Sequence, residues 1–452
     1  MVARTGIRQP GQWSYPAVGR FVLQAMSPAY PAAFLLFGLM FVMALAHFLS
    51  LPWSRSVTVA FYLFSAGWCL LILRDRIGLL KRLNAIDVGF AGFVLAVLVS
   101  GFIFPGLDEH GSVSKYIRFI PFMMMMPYVL GRLMMLRDME LLSRITLLLC
   151  LALLPLLLLD RLTVVERPWR LPVFGLDHGP LIVSGLLAAA LLALCVRVLT
   201  LGHQANKDER LRRLVLLAII GCVTVVLVGI MGRAWLLGGM AAVAVVSLAA
   251  GDRPLAQRMG LLAYVLAIAM LALFFLPVSA FYALVLPVPV PVPVPITATD
   301  FGPILGEASC QPFKDGIDSV AMRWVMYREA WAMFMQNQFW GVGVARFGDF
   351  SCTGPGWYPH STILQGFAEL GLIGGGLQIG LFLLTAGQIL QSLLLTRQAR
   401  IEPAHVFVAG LFVLFLVSDQ FYGTYLMAAG AWLVVGIAAS LRANAGGEPS
   451  RA

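Results

Sequence analysis

The sequence predicts an all-α polytopic membrane protein of about twelve transmembrane helices, with one large loop between spans nine and ten. Three observations carry that expectation. Of 452 residues, 60 % are hydrophobic and only 12 % charged, against about half and a quarter in soluble domains. Mean hydropathy is +0.88. Apolar runs of about 20 residues, the length that crosses a bilayer, recur along the chain and are separated mostly by short polar connections. These values exclude a water-soluble enzyme and a disordered scaffold.

The runs lie near 29–50, 56–73, 86–105, 116–135, 141–159, 179–201, 214–231, 234–250 and 259–285, then 371–395, 403–418 and 424–441. The chain therefore divides into an N-terminal tail (1–28), spans one to nine (29–285), the large loop (286–370), spans ten to twelve (371–441) and a C-terminal tail (442–452). Short connections make neighbouring spans antiparallel, as in a compact bundle. With the N-terminus inside, roughly two thirds of the 32 Lys and Arg residues fall on the cytoplasmic side, which the positive-inside rule favours. The net charge of +10 thus follows the membrane and not one solvated face, so nucleic acid is not an expected partner. The first apolar run starts near residue 29 without a nearby small-residue cleavage site and is expected to stay as a span, not to act as a signal peptide.

Four cysteines, Cys69, Cys150, Cys195 and Cys222, sit inside spans and are expected to pack as small apolar residues. Cys310 and Cys352 share the large outward loop, where an oxidising exterior would allow a disulfide. Closing about 43 residues would stabilise the loop by ~4 kcal/mol, less any strain. Two free thiols are the alternative, and neither spacing nor neighbours suggests zinc.

The large loop opens on alternating Pro and Val from Pro287 to Pro295, which lacks half its amide donors and favours an extended polyproline-like spacer of ~28 Å. From Ser319 to Met335, Val320, Trp324, Tyr327, Trp331 and Met335 recur at helical steps, with Arg323, Arg328 and Glu329 elsewhere on the wheel. Trp and Tyr in such a stripe suit the water–lipid boundary, so a helix lying on the outer surface, capped by Asp318 or Ser319, is expected. A second helix is expected to start beside His360 and to run through Ile363, Phe367 and Leu370 into span ten.

Ionisable groups at the outer ends of spans are costly near lipid and therefore carry information. Arg233, in Gly229-Ile-Met-Gly-Arg-Ala-Trp, sits in a hairpin too tight to form a loop. It either snorkels to headgroup phosphates or holds an anion at the outer mouth of the bundle. Arg323, Arg118 beside Lys115, and Arg170 near Asp177 and His178 face the same side. Together such cations could hold a diphosphate by forked hydrogen bonds. Individually, Arg118 and Arg170 could equally be ordinary interfacial charges.

Among six histidines, His360 stands out. Pro359 sets up a helix entry, and an imidazole at that end titrates near neutrality and can accept a hydroxyl proton. It could also merely anchor the helix. Glu369 lies nine residues on, ~13.5 Å along an ideal helix, and cannot orient it directly. No metal ligand set, P-loop or dinucleotide fingerprint is present, since Gly341-Val-Gly343 lacks the third glycine at the right offset; no cofactor is expected.

His360-Ser361, nine further residues and then Gly371-Leu-Ile-Gly374 resemble the histidine-then-Gly-x-x-Gly motif of the O-antigen ligase and polymerase superfamily. The stretch Arg323-Trp-Val-Met-Tyr-Arg-Glu-Ala-Trp, the turn Phe339-Trp-Gly-Val-Gly343 and the Gly-Arg-Ala-Trp turn at Arg233 are also similar to that family. The resemblance implies a metal-independent glycosyltransferase of the bacterial inner membrane, working at the periplasmic face in lipopolysaccharide biosynthesis. Its donor would be glycan on undecaprenyl diphosphate and its acceptor a sugar hydroxyl on lipid A-core. His360, Arg233 and Arg323 would be catalytic, with Arg118, Arg170 and Lys115 holding phosphates. Polymerase and protein O-oligosaccharyltransferase relatives share the motif, and a lipid-linked oligosaccharide transporter is the reading from another class. The Pro-Val rod is not part of the family pattern.

Overall fold

The structure, a computed structural model, describes residues 27–38, 55–81, 83–103, 119–163, 179–201, 207–230, 233–250, 253–275, 303–306, 310, 319–354, 357–396 and 402–445. Lys115, Arg118, Arg170, the Pro-Val rod and Asp318 lie outside the described residues.

Among the described residues the chain is all-helical. In order, α1 (Ala29–Ala33) continues as a π-helical turn, α2 is Arg55–Arg76, α3 Ala85–Ile103, α4 Met126–Arg132, α5 Leu136–Thr163, α6 Gly179–Thr200 and α7 Lys207–Gly229. Then follow α8 (Arg233–Ala249), α9 (Leu255–Phe275), α10 (Ser319–Gln336), α11 (Thr362–Thr396), α12 (Pro403–Ser418) and α13 (Ala429–Ala445). Six of these, α3, α5, α6, α7, α9 and α11, are long and apolar enough to cross a membrane; Ala29–Gly38, Ala234–Ala249, Pro403–Ser418 and Ala429–Leu441 are shorter apolar helices.

Helix α6 is the centre of the bundle. Its stretch from Leu186 to Val196 is buried throughout, and Ala, Leu and Val there face neighbours on every side, as expected of a helix apolar all round. By contrast α9 shows much of its apolar surface to the outside. Small residues permit the closest crossing: Gly131 of α4 lies against the Leu433 carbonyl of α13, and Gly436 of α13 against the Tyr128 carbonyl of α4. A methyl group at either position would strike backbone, the logic of small-residue packing in lipid.

One end of the bundle is tied by one buried and one part-buried ion pair. Asp87 accepts from Arg132 Nε at 2.9 Å and from the Tyr128 hydroxyl at 2.6 Å, while Asp138 accepts from Arg76 at 2.6 Å and from Ser27. Arg132, 1 % exposed, is thus an internal crosslink.

Two expectations are corrected. Cys222 is exposed on α7 and does not pack inside the bundle, because its side of the helix faces outward. The helix beginning near His360 does not run unbroken into span ten. Gly371 adopts φ 65° and ψ −159°, and the chain folds back there: a Cβ on Gly366 would lie 3.6 Å from the Cα of Gly375, where an unbroken helix would separate them by about 13.5 Å. Helix α11 is therefore two legs, before and after Gly371.

Candidate functional site

The reversal at Gly371 is held by a second short segment. After α10, the Val342 and Gly343 amides donate to the Ala368 and Glu369 carbonyls at 2.9 and 3.0 Å, and the Leu372 amide donates to the Gln338 carbonyl at 2.6 Å. Gly341 (φ 69°) and Gly371 make this clasp possible, since a side chain on either would enter the backbone of the other segment. The glycines of the Gly-x-x-Gly stretch and of Phe339-Trp-Gly-Val-Gly343 thus meet for a packing reason.

Beneath the clasp lies Glu369, fully buried. Its carboxyl accepts the Tyr425 hydroxyl at 2.7 Å, the Ala345 amide at 2.9 Å, the Gln365 side-chain amide at 3.2 Å and the Phe347 amide at 3.3 Å. It joins both legs' surroundings to the chain ahead of α13, and it does not serve His360.

His360 immediately precedes the first leg. Its φ of 55° is in the left-handed region, a conformation costing about 1–3 kcal/mol for a residue other than glycine, which persists where the surroundings over-determine it. Here the linker after α12 does so. The Thr362 amide donates to the Asp419 carbonyl at 3.2 Å. Gln420 receives the Ser361 hydroxyl at 3.0 Å and gives a hydrogen bond to Thr362 Oγ1 at 2.8 Å. The half-buried imidazole lies among aromatic rings, 4.7 Å from Tyr358, 6.1 Å from Tyr422 and 6.3 Å from Trp357 between centroids.

Arg323 approaches the same place from α10. Burial pushes the Tyr358 hydroxyl above its ordinary pKa, Tyr422 and Asp419 add to that rise, and the Arg323 guanidinium opposes it. Tyr358 itself packs against the His360 ring. Tyr327, one turn along from Arg323, donates to the Gln420 carbonyl at 3.2 Å. Arg233 opens α8, and the carbonyl of the next residue, Ala234, accepts the Ser418 hydroxyl at 3.2 Å. Its side chain is outside the described part of the structure. The segments carrying His360, Arg323 and Arg233 therefore meet around residues 418–422.

Asp419, Gln420, Tyr358 and Tyr422 are not among the sequence-based candidates. Asp419 is the informative omission: the residue is half-buried, its Oδ2 is shielded from solvent without a hydrogen-bond partner, and desolvation pushes its carboxyl up to about 7. An acid closing the apolar run 403–418 is the same signal that singled out the arginines at other span ends, read with the opposite sign.

The loop has a core of its own. Cys310 and Cys352 form a disulfide with Cα atoms 5.2 Å apart, and Val325, Met326, Ala330 and Met333 of α10 pack around it with Phe347 and Ala368. Glu329 is buried there, accepting the Cys352 amide at 2.8 Å, and burial lifts its carboxyl to about 7 against the pull of that hydrogen bond. Glu329 and the two cysteines bring ligand atoms within 4.8 Å of one another. Because the sulfurs are bonded to each other, they offer no thiolate to a metal.

What this arrangement can do chemically is limited and specific. It offers an imidazole at a helix entry, phenols packed against that imidazole, a guanidinium on a helix that reaches the same linker, and a carboxyl on the linker itself. Such a set can take a proton from a hydroxyl and offset negative charge on a departing group. No known protein family matches the chain, and no match is found among curated proteins.

Proposed function

We propose that this chain is a membrane glycosyltransferase of the O-antigen ligase type, moving glycan from undecaprenyl diphosphate to a sugar hydroxyl of lipid A-core. The observation that carries the reading is the convergence on Gln420 of the helix that bears Arg323, through the Tyr327 hydroxyl, and of the helix entry that bears His360, through the Ser361 hydroxyl; the sequence resemblance names those two residues, 37 positions apart, for one reaction. In this reading the six described spans belong to a bundle of about twelve, both termini are cytoplasmic, and the 418–422 end faces the periplasm of a bacterial inner membrane.

The reaction is a single displacement. His360 takes the proton of the acceptor hydroxyl as its oxygen attacks the anomeric carbon. The bond from that carbon to the diphosphate oxygen breaks, and undecaprenyl diphosphate leaves with the electron pair. Arg323 and Arg233 offset the charge that develops on it, with Arg118, Arg170 and Lys115 gathering phosphate oxygens. One displacement inverts the anomeric centre. The main-chain carbonyl of Asp419 accepts the Thr362 amide and so helps to fix the helix entry that carries His360. The diphosphate ester carries the driving energy, so the reading calls for neither nucleotide nor metal.

The test is transfer by purified protein in detergent with EDTA present, given undecaprenyl-diphosphate glycan and either lipid A-core or a second lipid-linked glycan. Product on lipid A-core is expected. Extended glycan still on the carrier lipid would replace the ligase with a polymerase, and glycan on neither acceptor would overturn both.

A further inference from the structure

Helix α10 buries one side against the disulfide core and leaves the other open. Trp324 and Trp331 are 65 % and 53 % exposed there, with the exposed Arg328 between them. Arg328, read from the sequence as lying off the aromatic stripe, is four residues after Trp324 and three before Trp331 and so shares their helical face. That face does not end with the helix. Phe339 and Trp340 follow, 66 % and 48 % exposed, and the hydrogen bond from the Leu372 amide to the Gln338 carbonyl brings them beside the exposed Leu372 and Ile373.

Leu372 and Ile373 begin the second leg of α11, a candidate membrane span whose Leu383, Leu390 and Leu394 also face outward. The aromatic face is therefore continuous with a lipid-facing surface. A contiguous exposed aromatic and aliphatic face of this kind marks a membrane or protein contact surface. Tryptophan gathers where an apolar ring body meets lipid and its N–H meets water, and an arginine among the rings can reach headgroup phosphates.

We infer that the ridge formed by Trp324, Trp331, Phe339 and Trp340 seats in the outer headgroup–acyl boundary of the lipid bilayer, fixing α10 at that depth. Arg323, adjacent to Trp324, then sits at the level of lipid phosphates. The seating itself is independent of the glycosyl-transfer reading; its consequence, that a lipid-borne diphosphate reaches Arg323 by lateral diffusion, rests on that reading.

Depth is measured directly with the full chain in lipid nanodiscs. In a Cys222→Ser background, nitroxide labels at Trp324→Cys, Trp331→Cys and Trp340→Cys are compared with Leu390→Cys, on the lipid-facing span, and Glu402→Cys, on an exposed polar turn. The ridge labels are expected to collide with oxygen several-fold more often than the Glu402 label and with a water-soluble nickel chelate several-fold less often. Nickel collision equal to that at Glu402 would overturn the seating. Shielding from both reagents, as under a protein partner or second copy, would also overturn it. Should the labelled variants not fold, tryptophan quenching by shallow-brominated phosphatidylcholine compares wild type with the Trp324→Phe/Trp331→Phe/Trp340→Phe variant. Greater quenching of wild type is expected, and equal fractional quenching would reject the seating. None of these readouts depends on transfer, so failure of the seating and failure of the ligase reading are separable.

Discussion

The Tyr425 hydroxyl and the Glu369 carboxyl are joined by a 2.7 Å hydrogen bond, which ties the chain ahead of α13 to the first leg of α11. The same carboxyl holds the Ala345 and Phe347 amides. Glu369→Gln turns one acceptor oxygen into a donor facing donors, so it is expected to destabilise the protein by about 1–3 kcal/mol. Tyr425→Phe removes one bond and should cost about 1 kcal/mol. Thermal unfolding in detergent should rank wild type above Tyr425→Phe and Tyr425→Phe above Glu369→Gln; equal midpoints would show that the carboxyl does not organise the clasp.

Alanine at Gly371 or Gly341 meets backbone of the opposing segment and a left-handed φ. Each is expected to cost more than about 2 kcal/mol, seen as lost monodisperse protein in detergent. Gly376→Ala, with open space around its Cβ position, should purify and unfold like wild type.

Opening the Cys310–Cys352 bond by Cys310→Ser/Cys352→Ser should lower stability by about 2–4 kcal/mol and expose the chain around Phe347 to protease. Intact-mass analysis with and without reductant should show the two-hydrogen difference in wild type and not in the double variant.

Glu329 makes stability pH-dependent in a defined direction. Its carboxyl titrates at about 7 in the folded chain against 4.5 in the ordinary case, so the folded state binds the extra proton between those values. The contribution is fully present below about 4.5 and is lost as pH rises through about 7. Glu329→Gln should therefore gain relative to wild type between pH 5 and 8, by up to about 3 kcal/mol. A pH-independent difference in unfolding midpoint would contradict the assignment. Asp419, also lifted by burial to about 7, acts in the same direction, and Asp419→Asn separates its share.

Much of the scaffold was legible because an apolar run of about 18 residues has few physical outcomes. The run read at 403–418 is helix α12, Pro403–Ser418, and that near 86–105 is α3. What sequence could not supply was contact between distant segments. The left-handed φ of His360 stands beside bonds that tie Ser361 and Thr362 to Gln420 and Asp419, about 60 positions away, and residue 371 has to be glycine because the Phe339 carbonyl occupies the space a side chain would need. Neither leaves a periodic trace. Cys222 misled for a related reason: periodicity locates a helix but not, in a chain apolar on most faces, which face looks outward. Asp419 is legible in the sequence as an acid at the end of the apolar run 403–418, the same kind of signal as the span-end arginines.

The central claim is that His360 takes the proton of the attacking hydroxyl at a site where Arg323 meets the diphosphate. The most direct measurement is transfer of glycan to lipid A-core by wild type and His360→Ala, with donor binding measured in parallel on the same preparations. The account predicts that transfer falls by a factor of about 10² to 10⁴ while donor affinity stays within a few-fold. Transfer that survives the substitution, or that falls only in step with donor binding, would contradict it.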